Sequence, residues 1–377
     1  MPKTIISYDK KTEEERKQIY RMYQDIFEDP KRFARYYFSL VYPKNRVLKL
    51  EQNGQLASMV HLNPYLLVLD GKQINASYIV AVSTYKAYRR QGMMAALLKK
   101  AFEDLKERGE LFTYLIPADE AYYTPFDFAF IMDWHQSEWE EEKGTCKSEY
   151  EIRKVSKDEY EKCAAYLNQC RGEQFSLWVH ADASYIKQQE AEMESENGGL
   201  YFIQKKGIVT GFFACTLEDN RISCTNLWLP EEMRQKEFSS LLFQKFGRKK
   251  IEVVFGNKRE DWGQPVRSVP TVMARILNLE ELLKTRKGKK KRELCLSVED
   301  QWIEENQGCF LWQISKEGSQ VKRTDQRPEW TIGIGMLTKI LFGYGEWGQE
   351  LEKVPENVLD FLKQIEPIFE VSITEQV

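Results

Sequence analysis

Apolar and polar residues follow one another along the chain in three successive stretches, each with its own pattern of strands and helices. In the first stretch, short apolar runs are joined at Asn53-Gly54 and Asp70-Gly71, strong hairpin signals that predict an antiparallel meander. Apolar residues at helical spacing predict helices before and after it. The predicted strands are 5–8, 47–51, 56–69, 75–84 and 111–116, and the predicted helices are 13–27, 32–40 and the segment between Gly92 and Gly109.

The second stretch follows a charged linker near residues 140–147 and repeats this order of elements. Ser156 and Glu159 have the spacing of a capping box, which predicts the start of a helix. The other predicted elements are strands at 151–155, 199–204, 208–216, 222–228 and 251–255 and helices at 177–193 and 231–246. We therefore expect a second module built like the first.

From about Pro270 the third stretch has shorter strands and more turns. The basic run at 287–292 lies between a predicted helix and strand and contains no aromatic residue, so we interpret it as a solvated turn and not as a nucleic-acid patch. The predicted elements are strands at 271–277, 293–298, 308–314 and 330–334 and helices at 279–283, 336–341 and 357–365.

Length and composition limit the class of protein. A chain of 377 residues is too long for one ordinary core and suits two or three domains. Its 55 basic and 58 acidic residues nearly cancel, so the charge gives no reason to expect a nucleic-acid partner. Seven spread cysteines without a C-x-x-C pair, with only three histidines, predict reduced thiols and no metal site. We expect a soluble, cytoplasmic protein, because we see neither a signal peptide nor an apolar segment of membrane-helix length.

The chain is organised around the segment from Ile79 to Leu98, which reads as a buried strand, a basic turn and a helix. Backbone N–H groups at a helix start have no partner within the helix, and the dipole favours an anion there. Basic side chains precede this helix, and Gly92 lets a phosphate approach the backbone. The segment is therefore either a pyrophosphate cradle or an ordinary basic turn before a packed helix, and the turn alone leaves both interpretations open.

A family resemblance favours the cradle. The pattern Arg89-x-x-Gly92 after a buried strand resembles the acyl-coenzyme A loop of GNAT N-acetyltransferases, although Met94 and Lys86 depart from the general motif. Arg89-Arg90-x-Gly92 followed by two bulky apolar residues is similar to the Eis-like (enhanced intracellular survival) branch of that family. Further matches to the branch lie in the third stretch at Val272-Met273-Ala274-Arg275-Ile276 with Leu282-Leu283, Val321-x-Arg323-Thr324 and Leu341-Phe342-Gly343-Tyr344.

The resemblance implies an α+β fold of tandem GNAT domains, with mixed central sheets flanked by helices, followed by a sterol-carrier-protein (SCP2)-like α/β domain. The implied boundaries are 1–145 for an active GNAT domain, 146–265 for a degenerate one and 266–377 for the SCP2-like domain. The second domain has Leu229-Pro230 where the first has its Arg-x-x-Gly turn, so we expect it to form a wall of the substrate cleft without binding coenzyme A. The central strands are expected to separate after a bulge near residues 82–84.

The resemblance also assigns roles to residues. Tyr123, in a Tyr-x-x-Phe-x-Phe segment, stands where the branch has its general acid, with Tyr122 as a neighbour that could be confused with it. The terminal carboxylate of Val377 is the implied general base, and Asp25 and Glu375 are weaker candidates for contact with a cationic amine. The residues implied to bind the cofactor are Val82, Ser83 and Thr84 for the thioester and pantetheine, and Arg89, Arg90, Gln91, Gly92, Met93 and Met94 for the pyrophosphate.

The activity implied is transfer of an acetyl group from acetyl-coenzyme A (acetyl-CoA) to a primary amine. The acceptor could be an aminoglycoside, a polyamine, a peptide or a lysine side chain, and no residue pattern chooses among these. Members of the branch often form hexamers, so a homo-oligomer, hexamer or trimer, is expected, without a nucleic-acid or membrane partner. The alternative is a non-catalytic protein that binds acyl-CoA, a lipid or a peptide.

Overall fold

The first module has the elements that its pattern predicts. The computed structural model describes residues 4–8, 12–140, 148–247, 250–255, 266–345 and 354–375. The first helix begins with a capping box, in which the Thr12 hydroxyl accepts a hydrogen bond from Glu15 N at 3.3 Å. The elements up to residue 115 are β1 (Thr4–Tyr8), α1 (Glu13–Ile26), α2 (Lys31–Tyr36), β2 (Arg46–Gln52), β3 (Gln55–Leu69), β4 (Lys72–Thr84), α3 (Met93–Glu107) and β5 (Phe112–Leu115).

The second module repeats this order but differs from the prediction in one helix. The prediction of one helix over 177–193 is wrong. The buried residues 177–179 pair as a strand with the end of β3, and Asp182 then caps a separate helix. A long strand after residue 128 was also not predicted. The elements are β6 (Ala129–Glu140), β7 (Tyr150–Lys154), α4 (Tyr160–Gln174), β8 (Leu177–Val179), α5 (Ala183–Ser195), β9 (Gly199–Lys205), β10 (Ile208–Leu217), β11 (Arg221–Trp228), α6 (Gln235–Phe246) and β12 (Lys250–Phe255).

The third region combines a small sheet with helices. The basic run begins in a two-residue strand and continues as an exposed turn at 289–291, as its composition predicts. The elements are β13 (Arg267–Ile276), α7 (Leu279–Thr285), β14 (Lys287–Gly288), β15 (Arg292–Glu299), β16 (Gly308–Ser315), β17 (Gly318–Arg323), β18 (Trp330–Gly333), α8 (Ile334–Leu341), α9 (Glu356–Gln364), β19 (Ile365–Glu366) and β20 (Val371–Ser372).

One large mixed sheet runs through both modules. Its main path is β1-β2-β3-β4-β5-β13-β6-β12-β11-β10-β9-β7, with β8 and β20 attached beside β3. Strand β13 belongs to the third stretch of sequence, yet it pairs antiparallel with β5 on one side and β6 on the other. The third region also has its own sheet in the order β17-β16-β15-β18. These features give the α+β class that we predicted, while the domain boundaries stay a prediction.

Candidate functional site

The central sheet opens between β4 and β5. The two parallel strands pair at Tyr78 and Tyr114, whose rings stack with centroids 5.2 Å apart, and the described residues show no further pair between them. On its other side, β4 pairs with β3 through an irregular register near Ala81, a residue with a φ of +51°. The edge of β4 beyond Tyr78 is thus free of a β5 partner. This opening and bulge confirm the strand separation that the resemblance implied.

Ser83 lies on this open edge of β4. Its side chain is buried, and its hydroxyl has no hydrogen-bond partner in the described part of the chain. Its carbonyl is already used, because it accepts a hydrogen bond from the Ser58 hydroxyl at 2.7 Å. A buried hydroxyl without a partner is uncommon, since it loses its hydrogen bond to water. Ser83 therefore fits a role in holding a polar group of a bound molecule.

The turn after β4 has the backbone geometry of an anion cradle. Arg90 and Gly92 both have left-handed backbones, with φ values of +62° and +75°, and such positions turn successive N–H groups toward one side. Gly92 is the N-cap of α3, and no side chain caps the first N–H groups of that helix. A Cβ on Gly92 would have no atom within 4 Å. Glycine is therefore favoured here by the positive φ angle and not by a lack of space.

Side chains in the turn add positive charge and tie it to the strand. Arg89, Arg90 and Gln91 are exposed. Arg89 Nε donates a hydrogen bond to Thr84 O at 3.1 Å, which connects the turn to the end of β4. The predicted pyrophosphate residues and the predicted pantetheine residues are thus continuous in space. The residues present fit a molecule with a diphosphate at one end and a polar chain along β4.

Tyr123 and Tyr122 have different environments. Tyr123 is half-buried between two short 3₁₀ turns, with its ring edge-on to Phe128 at a centroid distance of 5.9 Å. Burial raises the pKa of its hydroxyl to about 12, so the group stays protonated at neutral pH. Tyr122 is 59% exposed. The geometry favours Tyr123 over its neighbour as a residue of the site, and its catalytic role stays a prediction.

The C-terminal tail enters the interior between the modules. Ile373 O accepts a hydrogen bond from Trp134 Nε1 at 3.0 Å. Glu375 is 1% exposed and its Oε1 accepts a hydrogen bond from the Tyr185 hydroxyl at 2.5 Å. Glu375 therefore anchors the tail. If it also contacts a substrate amine, as predicted, its carboxylate would have to bind the amine and Tyr185 together. Val377, the predicted base, lies outside the described residues.

The other predicted acidic residue, Asp25, is exposed near the end of β4. Its carboxylate accepts a hydrogen bond from the Tyr85 hydroxyl at 3.1 Å, one residue after the strand. It is thus tied to the residue that follows β4, whereas Glu375 is held by Arg171 of α4 and Tyr185 of α5. The structure does not bring the two predicted acids together through any contact between described residues.

A second buried acid, Glu192, was missed by sequence reasoning. It lies on α5, is 3% exposed, and accepts hydrogen bonds from Tyr36 Oη at 3.1 Å and from Gln189 Nε2 at 3.2 Å. Burial, together with the nearby carboxylates of Glu375 and Glu196, raises its pKa to about 8, although the hydrogen bond from Tyr36 acts in the opposite direction. The signal available was the spacing of Tyr185, Gln189 and Glu192 on one helical face.

Tyr78 connects these groups. Burial raises the pKa of its hydroxyl, and Glu192, Tyr123 and Glu375 each add to the rise through their charges. All three therefore lie within electrostatic range of the residue at which β4 and β5 separate. The site thus combines an open strand edge, an anion cradle, a protonated phenol and two buried acidic side chains.

Comparison with protein families identifies two domains. Residues 7–131 match the model of the acetyltransferase (GNAT) domain, and residues 279–355 match that of a sterol carrier protein domain. The first match contains both the cradle and Tyr123, and the second lies in the third region. A search of curated protein sequences finds no match. Among the described residues, no helix is long and apolar enough to cross a membrane.

Several solved structures share the fold over nearly the whole chain. A protein from Enterococcus faecalis, described as a probable N-acyltransferase, superposes with a TM-score of 0.83 at 16% identity, covering 98% of this chain and 100% of its own. A GCN5-related N-acetyltransferase from Anabaena variabilis gives 0.79 at 16% identity and 98% of both chains. Eis1 from Mycobacterium abscessus gives 0.69 at 13% identity, covering 100% of this chain and 99% of its own. These likenesses show that the fold is shared over nearly the whole chain, and the domain match identifies a GNAT domain within it.

Proposed function

We propose that this chain, with a GNAT domain at residues 7–131, is an acetyl-CoA-dependent N-acetyltransferase that modifies a primary amine. The observation that carries the proposal is the continuity of the open β4 edge with the uncapped start of α3. The first offers backbone groups and Ser83 Oγ, and the second offers N–H groups in a basic turn. A molecule with a pantetheine arm and a pyrophosphate matches both parts.

The cofactor contacts follow from this arrangement. The backbone from Val82 to Thr84 would hold the pantetheine arm and the thioester carbonyl, and the turn from Arg89 to Met94 would hold the pyrophosphate. When bound, acetyl-CoA supplies an activated acetyl thioester. The remaining chemistry must come from the chain, which has to remove protons from the amine and deliver one to the departing sulfur.

Tyr123 is the proposed proton donor to sulfur. Its pKa of about 12 lies above that of an ordinary thiol, about 8.5, so the hydroxyl is protonated whenever the thiolate forms. Because the tyrosine hydroxyl is a weaker acid than the thiol, proton transfer from it to a free thiolate is unfavourable. The hydroxyl can act as donor only if it is held against the sulfur while negative charge develops there. Position therefore matters more than acidity, and the packing of the ring against Phe128 supports a fixed position.

The acceptor is proposed to be cationic. Glu375 is a buried carboxylate within electrostatic range of Tyr78, Asp25 lies at the end of β4, and Glu192 is a buried acid whose ionised form an arriving cation would favour. An aminoglycoside, a polyamine, a peptide amine or a lysine side chain all have this charge. The carboxylate of Val377 is proposed as a base in the same cleft, which the burial of residues 371–373 and of Glu375 supports. We further propose an Eis-like enzyme that assembles as a hexamer, as the resemblance of the Arg89-Arg90-x-Gly92 turn to that branch implies, and the fold shared with Eis1 is consistent with it.

The test is thiol release from acetyl-CoA with kanamycin, spermidine and a lysine-containing peptide as acceptors. Tyr123→Phe should lower kcat by roughly a hundredfold or more while acetyl-CoA affinity stays unchanged. Tyr122→Phe is the matched control, because it removes an exposed hydroxyl one residue away and should leave kcat unchanged. Binding of acetyl-CoA without thiol release from any acceptor would instead favour the non-catalytic binding protein.

A further inference from the structure

Glu192 is a buried acid without a cationic partner. Among the described residues no Lys, Arg or His forms an ion pair with it, whereas Glu190 and Glu194 on the same helix lie within ion-pair distance of Lys154. Both hydrogen bonds to its side chain, from Tyr36 and Gln189, fall on Oε2. Oε1 receives neither of them and is left for another donor. Burying an acidic side chain without a cationic partner costs free energy, and such groups are often found at functional sites.

The position of Glu192 relates it to the site and not to the outer surface of the second module. It reaches from α5 to Tyr36 at the end of α2, so it lies where the second module contacts the GNAT domain. The charged and titratable groups around it come from four other elements. They are Tyr36 on α2, Tyr65 on β3, Tyr78 on β4 and Glu375 in the tail, together with Glu196 just after α5.

These neighbours control the protonation of Glu192. None of the groups that shift its pKa is a cation, and the two carboxylates among them disfavour its ionised form, as burial does. A carboxylate with a pKa of about 8 is a much better proton acceptor than one with the ordinary value of 4.5. An arriving ammonium would both favour ionisation and offer the proton.

We propose that Glu192 takes the first proton from the ammonium group of the amine acceptor, an inference that rests on the proposed N-acetyltransferase function. An O–H bond forms at Oε1 while one N–H bond breaks, and the electron pair of that bond becomes the lone pair of a neutral amine. The carboxylate becomes a carboxylic acid and returns its proton to solvent after product leaves. A second proton leaves nitrogen as the amide forms, and the carboxylate of Val377 remains the proposed acceptor for it.

The experiment compares the pH dependence of kcat/KM for wild type, Glu192→Gln and Glu190→Gln. Acetyl-CoA is the donor, with kanamycin and spermidine as cationic acceptors and hydroxylamine as an acceptor that is neutral at neutral pH. Wild type should show a rise in rate with an inflection near the pKa of Glu192, about 8. Glu192→Gln should lose this inflection and roughly a hundredfold in rate with the cationic acceptors, but much less with hydroxylamine.

Glu190→Gln is the matched control, since it neutralises another buried acid of the same helix that contacts Tyr160 and Lys154. It should keep the wild-type inflection. Equal losses with all acceptors in Glu192→Gln, or an unchanged pH profile, would overturn the assignment to Glu192 while leaving the acetyltransferase itself intact. Absence of thiol release by wild type with every acceptor would overturn the proposed function and the role of Glu192 with it.

Discussion

The guanidinium of Arg171 and the carboxylate of Glu375 face each other inside the protein, with Nη2 and Oε1 3.6 Å apart. Both side chains are almost fully buried, and the Tyr185 hydroxyl contacts both of them. Arg171 also donates to Val179 O at 2.6 Å, so α4 and β8 hold the charge that receives the tail. The second module therefore does more than form a wall, because it fixes the position of the C-terminal segment.

This ion pair predicts that substitutions of Arg171 and Glu375, which are far apart in the sequence, have strongly coupled effects on stability. Arg171→Met should lower the free energy of unfolding by about 3–5 kcal/mol, because Glu375 then stays buried without a positive partner. Glu375→Gln should also destabilise, since it leaves Arg171 without its carboxylate. Urea denaturation of both variants and the double variant gives the coupling energy. The double variant should lose less than the sum of the two losses, and strict additivity would contradict the coupling.

The raised pKa of Glu192 predicts that stability depends on pH. In the unfolded chain this group ionises near 4.5, whereas in the folded chain it holds its proton up to about 8. The folded state therefore binds one more proton between these values, and the free energy of unfolding falls as pH rises through them. Glu192→Gln has no such proton, so its stability relative to wild type should increase from about pH 5 to about pH 8. Urea denaturation at both ends of this range measures the difference, and a constant difference would contradict the shift.

The left-handed backbone of Gly92 predicts a selective loss of cofactor affinity. Gly92→Ala places a Cβ on a residue with a φ of +75°, which costs about 1–2 kcal/mol locally or moves the turn. Acetyl-CoA should bind roughly tenfold more weakly by calorimetry. Gly109→Ala is the matched control, because Gly109 follows the other end of α3 with a φ of +80° and similar open space. Equal affinities in the two variants would argue against the cradle.

A buried ion pair in the third region should affect turnover through Tyr123. Arg275 Nη2 lies 2.6 Å from Asp300, and Arg275 Nε donates to Phe126 O at 3.0 Å, in the turn that follows Tyr123. Arg275→Met should therefore lower kcat several-fold more than it weakens acetyl-CoA binding. Arg286→Met is the control, since Arg286 is a buried arginine that pairs with Asp70 away from this turn. A similar kcat in both variants would contradict the link.

Local patterns predicted much of the fold and part of the site. The strand, basic turn and helix around Gly92 follow from short-range signals, namely an apolar run, a glycine and helical spacing. The strand at Leu177–Val179 could not be predicted from such signals, because its pairing with β3 joins residues more than a hundred positions apart. Glu192 was missed for a related reason. Helical spacing places it on one face with Tyr185 and Gln189, but its burial depends on the contact between α5 and α2, which joins distant parts of the chain.

Strand β13 can join the central sheet only after most of the chain has been synthesised. The strand Arg267–Ile276 completes the pairing of β5 and β6, although it follows them by more than a hundred residues. A nascent chain that has emerged only to residue 266 cannot finish the sheet that carries the candidate site. Because such long-range pairing is slow to form, final folding of the GNAT domain would have to await synthesis of the third region, and a chain cut before β13 would keep two unpaired strand edges at its centre.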